Sequence, residues 1–168
     1  MLSRVIHHVR RLAVRCVVAA TLSVYCAVAA APSFTASVAL AAPDPGTEVA
    51  DLAQQYVGSP YRWGGTSPAG FDCTGFVLWV YSQFGVAMPH NEAGELASGA
   101  PVASDDLQPG DILVFANTYR RGLSHAGIYL GDGRFVHAAD ESHGVMVSNL
   151  WDAYWGPRLV GLAAPWPD

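Results

Sequence analysis

Cys73, His125 and His137 are the residues of this 168-residue chain whose types and spacing suit covalent catalysis. A thiolate attacks carbonyl carbon, an imidazole takes the thiol proton, and a third group fixes the tautomer of that imidazole. Cys73 lies in Gly70-Phe71-Asp72-Cys73-Thr74-Gly75-Phe76, where a periodic apolar segment begins. Its thiol is therefore expected at a helix N-terminus, whose unpaired N–H groups favour the thiolate. Asp72 or the glycine-rich loop before it supplies the cap. The charge of Asp72 opposes ionisation of the thiol, so the helix end alone is a weak activator. His125 is expected as the general base, with His137 on its far nitrogen. Metal binding is the competing use of such histidines. With only Cys73 nearby, His125 and His137 lack the paired, short-spaced ligands of structural zinc sites, so no metal and no cofactor are expected.

The other two cysteines, Cys16 and Cys26, fall in an N-terminal segment with the pattern of an export signal. Arg4, Arg10, Arg11 and Arg15 open it without an acid, a charge-free run follows from Cys16 to Ala31, and Ala39-Leu40-Ala41 closes it. Basic start, apolar middle and small-x-small exit describe a secretory signal peptide over 1–41. The apolar run is short for a membrane span, which needs about 20 such residues. Removal near Ala41 would leave Cys73 as a lone, unpaired thiol. Residues 42–47 then read as a short linker and 48–168 as one domain, long enough for a single core. All 14 acids but only five arginines fall after residue 41, a net charge of −9, and the chain has no lysine. Such a surface argues against nucleic acid and anionic membranes as partners.

Helices precede strands along the domain. Thr47 reads as the cap of a helix over Glu48 to Val57, with Gly58 as its stop. A Gly/Pro-rich loop leads to a second helix from Cys73 to Phe84, with Phe76, Val77, Val80, Tyr81 and Phe84 at helical spacing. The stretch through Pro89 and Pro101 reads as irregular. Gln108-Pro109-Gly110-Asp111 is a turn opening a strand at Ile112 to Ala116. Ser124 to Leu130 and Arg134 to Ala138 flank Gly131-Asp132-Gly133, a hairpin. Further strands are expected near Val145 to Val147 and Arg158 to Leu162. The sum is an α+β domain with an antiparallel sheet, the nucleophile at a helix N-terminus.

The hairpin register decides whether the histidines meet. A loop of Asp132-Gly133 alone would put His125 and His137 on opposite faces. A three-residue Gly131-Asp132-Gly133 loop sets Gly127 opposite His137, making the histidines diagonal neighbours about 7–8 Å apart at the backbone. The three-residue loop is expected.

These residues resemble the NlpC-type family of cell-wall cysteine peptidases. The resemblance runs from about Asp51 to Val160. It is carried by Gly58-Ser59-Pro60-Tyr61-Arg62-Trp63-Gly64-Gly65, Phe71-Asp72-Cys73-Thr74-Gly75 and Leu107-Gln108-Pro109-Gly110-Asp111, then by Ser124 to Gly131 and Phe135-Val136-His137-Ala138. It implies a compact papain-like fold, helices packed on a central sheet. It implies secreted hydrolysis of peptidoglycan stem peptides, between D-glutamate and a diaminopimelate-type residue, in the cell wall or periplasm. It maps the nucleophile to Cys73, the base to His125 and the orienting residue to His137. Tyr61 is mapped beside the cysteine, where its hydroxyl would stabilise the oxyanion, and Asp72 and Thr74 to substrate contacts. Thr74 stands where serine is more usual, and Pro89-His90-Asn91 where relatives often carry Pro-Arg-Thr. Targeting within the wall would rest on the domain or on a protein partner, and nothing requires more than a monomer.

Other residues read as structural. His90 and His143 read as surface or loop, Tyr61 and Trp63 also as packing under the glycine loop, and Arg120-Arg121 as a solvated turn. Trp79, Trp151, Tyr154 and Trp155 read as core or sheet-edge aromatics. Asp140 and Glu141 follow His137 closely enough to receive a substrate ammonium. Two alternatives stand beside the peptidase: a peptidoglycan-binding module with little turnover, and a related amidase or acyltransferase.

Overall fold

The computed structural model describes residues 44–166. The export-signal pattern of residues 1–41, with Cys16 and Cys26, lies outside the described residues. Helix α1 is Pro45–Gln54, α2 is Cys73–Ser82 and α3 is Glu92–Leu96. The strands are β1 Thr66–Ser67, β2 Gly70–Phe71, β3 Ala100–Pro101, β4 Ile112–Ala116, β5 Leu123–Gly131, β6 Arg134–Ala138, β7 Val145–Asn149 and β8 Leu159–Ala164. β1 and β2 form a small ribbon, and the others make a six-stranded sheet in the order β3-β8-β4-β5-β6-β7. Every pairing in it is antiparallel. The expected α+β architecture is present.

Alternation along the strands gives the sheet two apolar faces. Ile112, Val114, Ala126, Ile128, Val136 and Ala138 pack with Val49 and Ala53 of α1 and Phe76, Val77 and Val80 of α2. The opposite face carries Leu113, Phe115, Tyr129 and Phe135, closed by Leu150 and the half-buried Trp155. Both layers are fully or nearly dry, so the sheet is rigid where the two histidines leave it.

Several expectations are corrected. α1 starts at Pro45 with Asp44 in the capping position, not at Glu48 with Thr47 as cap. Proline at the first helical position has φ already set and no N–H to lose, and this outweighs the hydroxyl of Thr47. The helix thus takes in 45–47, and ends at Gln54 rather than Val57. α2 ends at Ser82. The stretch read as irregular holds α3, with Asn91 at its N-cap accepting from the Gly94 N–H at 2.8 Å. β7 and β8 each run two residues further than expected.

The hairpin reaches the expected register by a different turn. Ile128 pairs with Val136 and Tyr129 with Phe135, as a three-residue loop requires, but Gly131 pairs with Arg134. The turn itself is the two-residue Asp132-Gly133, with φ of 52° and 69°. Both residues in the left-handed region match the twist of the flanking strands. The extra residue is absorbed as a bulge between Tyr129 and Gly131, which restores the parity of the strands.

Candidate active site

Cys73 is the first residue of α2, and Asp72 is its cap. One carboxylate oxygen of Asp72 accepts from the Gly75 N–H at 2.6 Å and from the Thr74 hydroxyl at 3.3 Å. The other accepts from the Gly64 N–H at 2.8 Å, and His90 Nε2 lies 2.8 Å from the first. One side chain therefore joins the glycine loop, the start of the helix and the segment before α3. Gly75 has no room for a side chain, since a Cβ there would lie 1.9 Å from the Gly65 carbonyl oxygen. That close approach presses the glycine loop onto the first turn of the helix.

The thiol of Cys73 is buried, and its pKa is pushed up to about 12. Loss of solvent is the main cause and the charge of Asp72 the next, with Glu95 and Glu92 adding to it. Against them, the backbone N–H of Ala126 in β5 points at the sulfur and favours the thiolate. The thiol thus sits against the strand residue that follows His125.

His125 and His137 lie on one face of the sheet, with His125 Nε2 2.7 Å from His137 Nδ1. The far nitrogen of His137, Nε2, is 2.9 Å from the Ser148 hydroxyl. Gly127 of β5 lies close against β6 at this point: a Cβ there would meet the Phe135 ring at 2.8 Å and His137 Cβ at 3.2 Å. Trp155 stacks on His125 at 5.0 Å and Phe135 on His137 at 4.6 Å. Burial pulls His125 down to about 4, although Asp140 and Asp72 oppose the shift. His137 is held well below the ordinary imidazole range, by burial first and by His125 second. Both rings are neutral near neutral pH, and His125 keeps Nδ1 free of the His137 contact.

Tyr61 bridges to Phe71 at the rim, and its phenol is pushed above the ordinary range by burial and then by Cys73 and Asp72. It remains an O–H donor beside the thiol. A cleft of about 400 Å³ opens over Cys73, with Tyr61, Asp72, Thr74, His90 and Arg120 in its wall. Asp72 and Thr74 thus line it. Trp63, 68% exposed, meets Tyr119 edge to face at 5.7 Å across the mouth, so it does not pack under the glycine loop. Asp140 and Glu141 border an adjoining recess of about 410 Å³. Asp140 is already paired with His143 at 2.8 Å.

Three residues read as structural stand where expected and also bear on the site. His90 is an exposed loop residue that lines the cleft and lies 2.8 Å from Asp72. Arg120 lies in an exposed bend, where its guanidinium holds both Glu92 oxygens at 3.0 Å. Trp155 packs at the sheet edge and covers both histidines. Ser148 and Glu92 went unnoticed in the sequence. Ser148 had only strand parity to mark it, and Glu92 lay in the stretch read as irregular. His90 had a signal: it is one of the departures from the pattern of the family.

The decisive observation is a buried cysteine at a helix start, set against a strand that carries one of two hydrogen-bonded histidines, within a region that matches the NlpC/P60 family over residues 58–164. The chain belongs to the NlpC/P60 family. It is 42% identical over 126 residues to the gamma-DL-glutamyl hydrolase of Bacillus subtilis, covering 72% of this chain and 30% of that one. It is 43% identical over 123 residues to a "probable endopeptidase" of Corynebacterium glutamicum, covering 73% of this chain and 56% of that one. The chain thus spans less than two thirds of the length of these relatives. Among solved structures, the NlpC/P60 domain of the peptidoglycan hydrolase SagA superposes with a TM-score of 0.62 at 29% identity, covering 72% of this chain and 99% of that one. A family member from Bacillus cereus superposes at 0.68 and 28% identity, covering 74% and 42%. The fold of the NlpC/P60 domain is therefore that of this chain.

Proposed function

We propose that this NlpC/P60 protein is an exported cysteine endopeptidase that cuts peptidoglycan stem peptides at the D-glutamyl to diaminopimelate-type bond. The observation that carries the reading is the Cys73 thiol against the backbone N–H of Ala126, the residue after His125, whose ring is hydrogen-bonded to His137. The names of the relatives, one a gamma-DL-glutamyl hydrolase and one a peptidoglycan hydrolase, support the substrate class. The basic, apolar and small-residue pattern of the first 41 residues supports export to the wall or periplasm.

The steps need no cofactor. His125 Nδ1 takes the thiol proton as sulfur bonds to the scissile carbonyl carbon, whose π pair moves onto oxygen. The Tyr61 hydroxyl and a backbone N–H at the helix start donate to that oxygen. Imidazolium at His125 then protonates the departing amine as the C–N bond breaks, leaving a thioester. A water molecule gives its proton to His125 and attacks, the C–S bond breaks, and the thiol is reprotonated. His137 holds the ring of His125 throughout.

The test is product mass after incubation of the chain with muropeptides, beside Cys73→Ala. Fragments cut after D-glutamate, absent with Cys73→Ala, are expected. Binding with no Cys73-dependent cleavage would replace the peptidase reading with that of a wall-binding module, and a different fragment mass with that of an amidase.

A further inference from the structure

We infer that Ser148 is a positioning residue that sets the direction of the hydrogen bonds running through both histidines. The inference rests on the proposed Cys73–His125 pair. Ser148 lies on β7 opposite Phe135, two residues from Met146, which faces His137. Strand parity therefore puts its hydroxyl on the face of the histidines. Its oxygen is 2.9 Å from His137 Nε2, and His137 Nδ1 is 2.7 Å from His125 Nε2.

A chain of neutral imidazoles can be protonated in two senses. In one, His125 Nε2–H donates to His137 Nδ1 and His137 Nε2–H donates to Ser148. The lone pair on His125 Nδ1 is then free for the thiol proton. In the other, Ser148 donates to His137 Nε2, His137 Nδ1–H donates to His125 Nε2, and His125 carries its proton on Nδ1. That form cannot accept a proton from Cys73. The two senses have the same heavy-atom positions and differ only in three protons. Phe135 against His137 and Trp155 against His125 hold the ring planes, so direction is the variable that remains. A thiol S–H donating to His125 Nδ1 at one end requires an acceptor beyond His137 Nε2–H at the other; the Ser148 hydroxyl supplies it, and still accepts when His125 becomes imidazolium, which needs His137 Nδ1 as acceptor.

The test compares the full chain with Ser148→Ala, Ser148→Thr and His125→Ala, reading kcat and KM on a muropeptide, melting temperature, and imidazole ¹⁵N shifts. In the parent, both rings are expected to carry their proton on Nε2. Ser148→Ala is expected to lower kcat about tenfold, with KM within about twofold, and to mix the tautomers. Ser148→Thr, which keeps the hydroxyl, is expected to restore both. The inference is overturned if the parent carries its protons on Nδ1, if Ser148→Ala keeps the parent kcat, if only KM moves, or if Ser148→Thr is as impaired as Ser148→Ala. Turnover that survives in His125→Ala would instead remove the Cys73–His125 reading itself. Loss of turnover in His125→Ala with an unaffected Ser148→Ala removes only the role of Ser148.

Discussion

Asp72→Asn pulls the site in two directions at once, and the structure assigns a sign to each. The carboxylate caps α2 through the Gly75 N–H and holds the glycine loop through the Gly64 N–H. Asparagine can keep the first bond with its carbonyl oxygen. Its amide nitrogen then faces the Gly64 N–H, donor against donor. The lost charge-assisted bond is worth about 1.5–3 kcal/mol by the usual scale for such bonds. For a domain of this size, that is a fall in melting temperature of roughly 5–15 °C. The thiol should respond the opposite way, because the charge of Asp72 is the second-largest cause of its raised pKa, after burial. Removing it lowers the pKa of Cys73 from about 12 and leaves the burial contribution in place. The assay is alkylation of Cys73 by iodoacetamide against pH, read on the Cys73 peptide by mass, beside a thermal melt. The expected result is a less stable protein whose alkylation curve moves to lower pH. An alkylation curve that stays put or moves to higher pH would refute the electrostatic reading of the helix start, whatever the melt shows.

Gly127→Ala places a methyl 2.8 Å from the Phe135 ring and 3.2 Å from His137 Cβ, so His137 must shift. A loss of about 1–3 kcal/mol is expected, with kcat down about 100-fold if His125 loses its alignment by an ångström; a parent-like kcat would count against His137 as the orienting residue. His125 must be neutral to act as base and is held down to about 4, so the acid limb of kcat/KM should fall near pH 4, not at the ordinary imidazole value of 6.5. A limb centred near 6.5 would show that the base is a solvated histidine. Glu95 is fully buried, neither of its oxygens has a partner, and burial raises its pKa well above the ordinary carboxylate value. Its contribution to stability is full below the pKa of the unfolded chain and is lost as pH rises through the folded one. Glu95→Gln should therefore flatten the decline in melting temperature above about pH 4.5, by several degrees at neutral pH; an unchanged pH profile would mean that this carboxyl is solvated.

The order of elements and the pairing of the histidines were legible because both depend on periodicity. Helical spacing gives α2, strand alternation gives β4 to β6, and parity alone brings His125 and His137 to one face. The turn was misread because two routes lead to the same parity. A three-residue loop and a two-residue turn preceded by a bulge displace the strand equally; Asp-Gly favours the two-residue turn, but nothing in the residues before it marks the bulge that restores the parity. α3 was missed for a different reason. At five residues it shows little more than one turn of periodicity, and its Asn91 cap lies beside Pro89, which reads as a breaker. The cleft wall was the least legible part. His90, Glu92 and Arg120 are set by contacts across 18 and 28 residues of chain, and no local pattern encodes such distances.

Burial acts on both members of the proposed Cys73–His125 pair, and in opposite directions on the pKa scale. Desolvation is the largest cause of the raised thiol and also of the lowered imidazole. Each shift disfavours the charged form, so together they favour neutral thiol beside neutral imidazole over a standing thiolate–imidazolium pair. The carboxylates around the sulfur reinforce this, while the Ala126 N–H opposes it without reversing it. Such a site holds no idle thiolate, which protects Cys73 from oxidation. In the proposed mechanism, charge then has to appear with the substrate in place, as the proton leaves sulfur and the electron pair passes to the carbonyl oxygen. The donors proposed for that oxygen are the Tyr61 hydroxyl, kept protonated by its own raised pKa, and the N–H groups of the helix start. The helix N-terminus therefore contributes less by ionising Cys73 at rest than by receiving the negative charge that Cys73 passes on to the oxyanion.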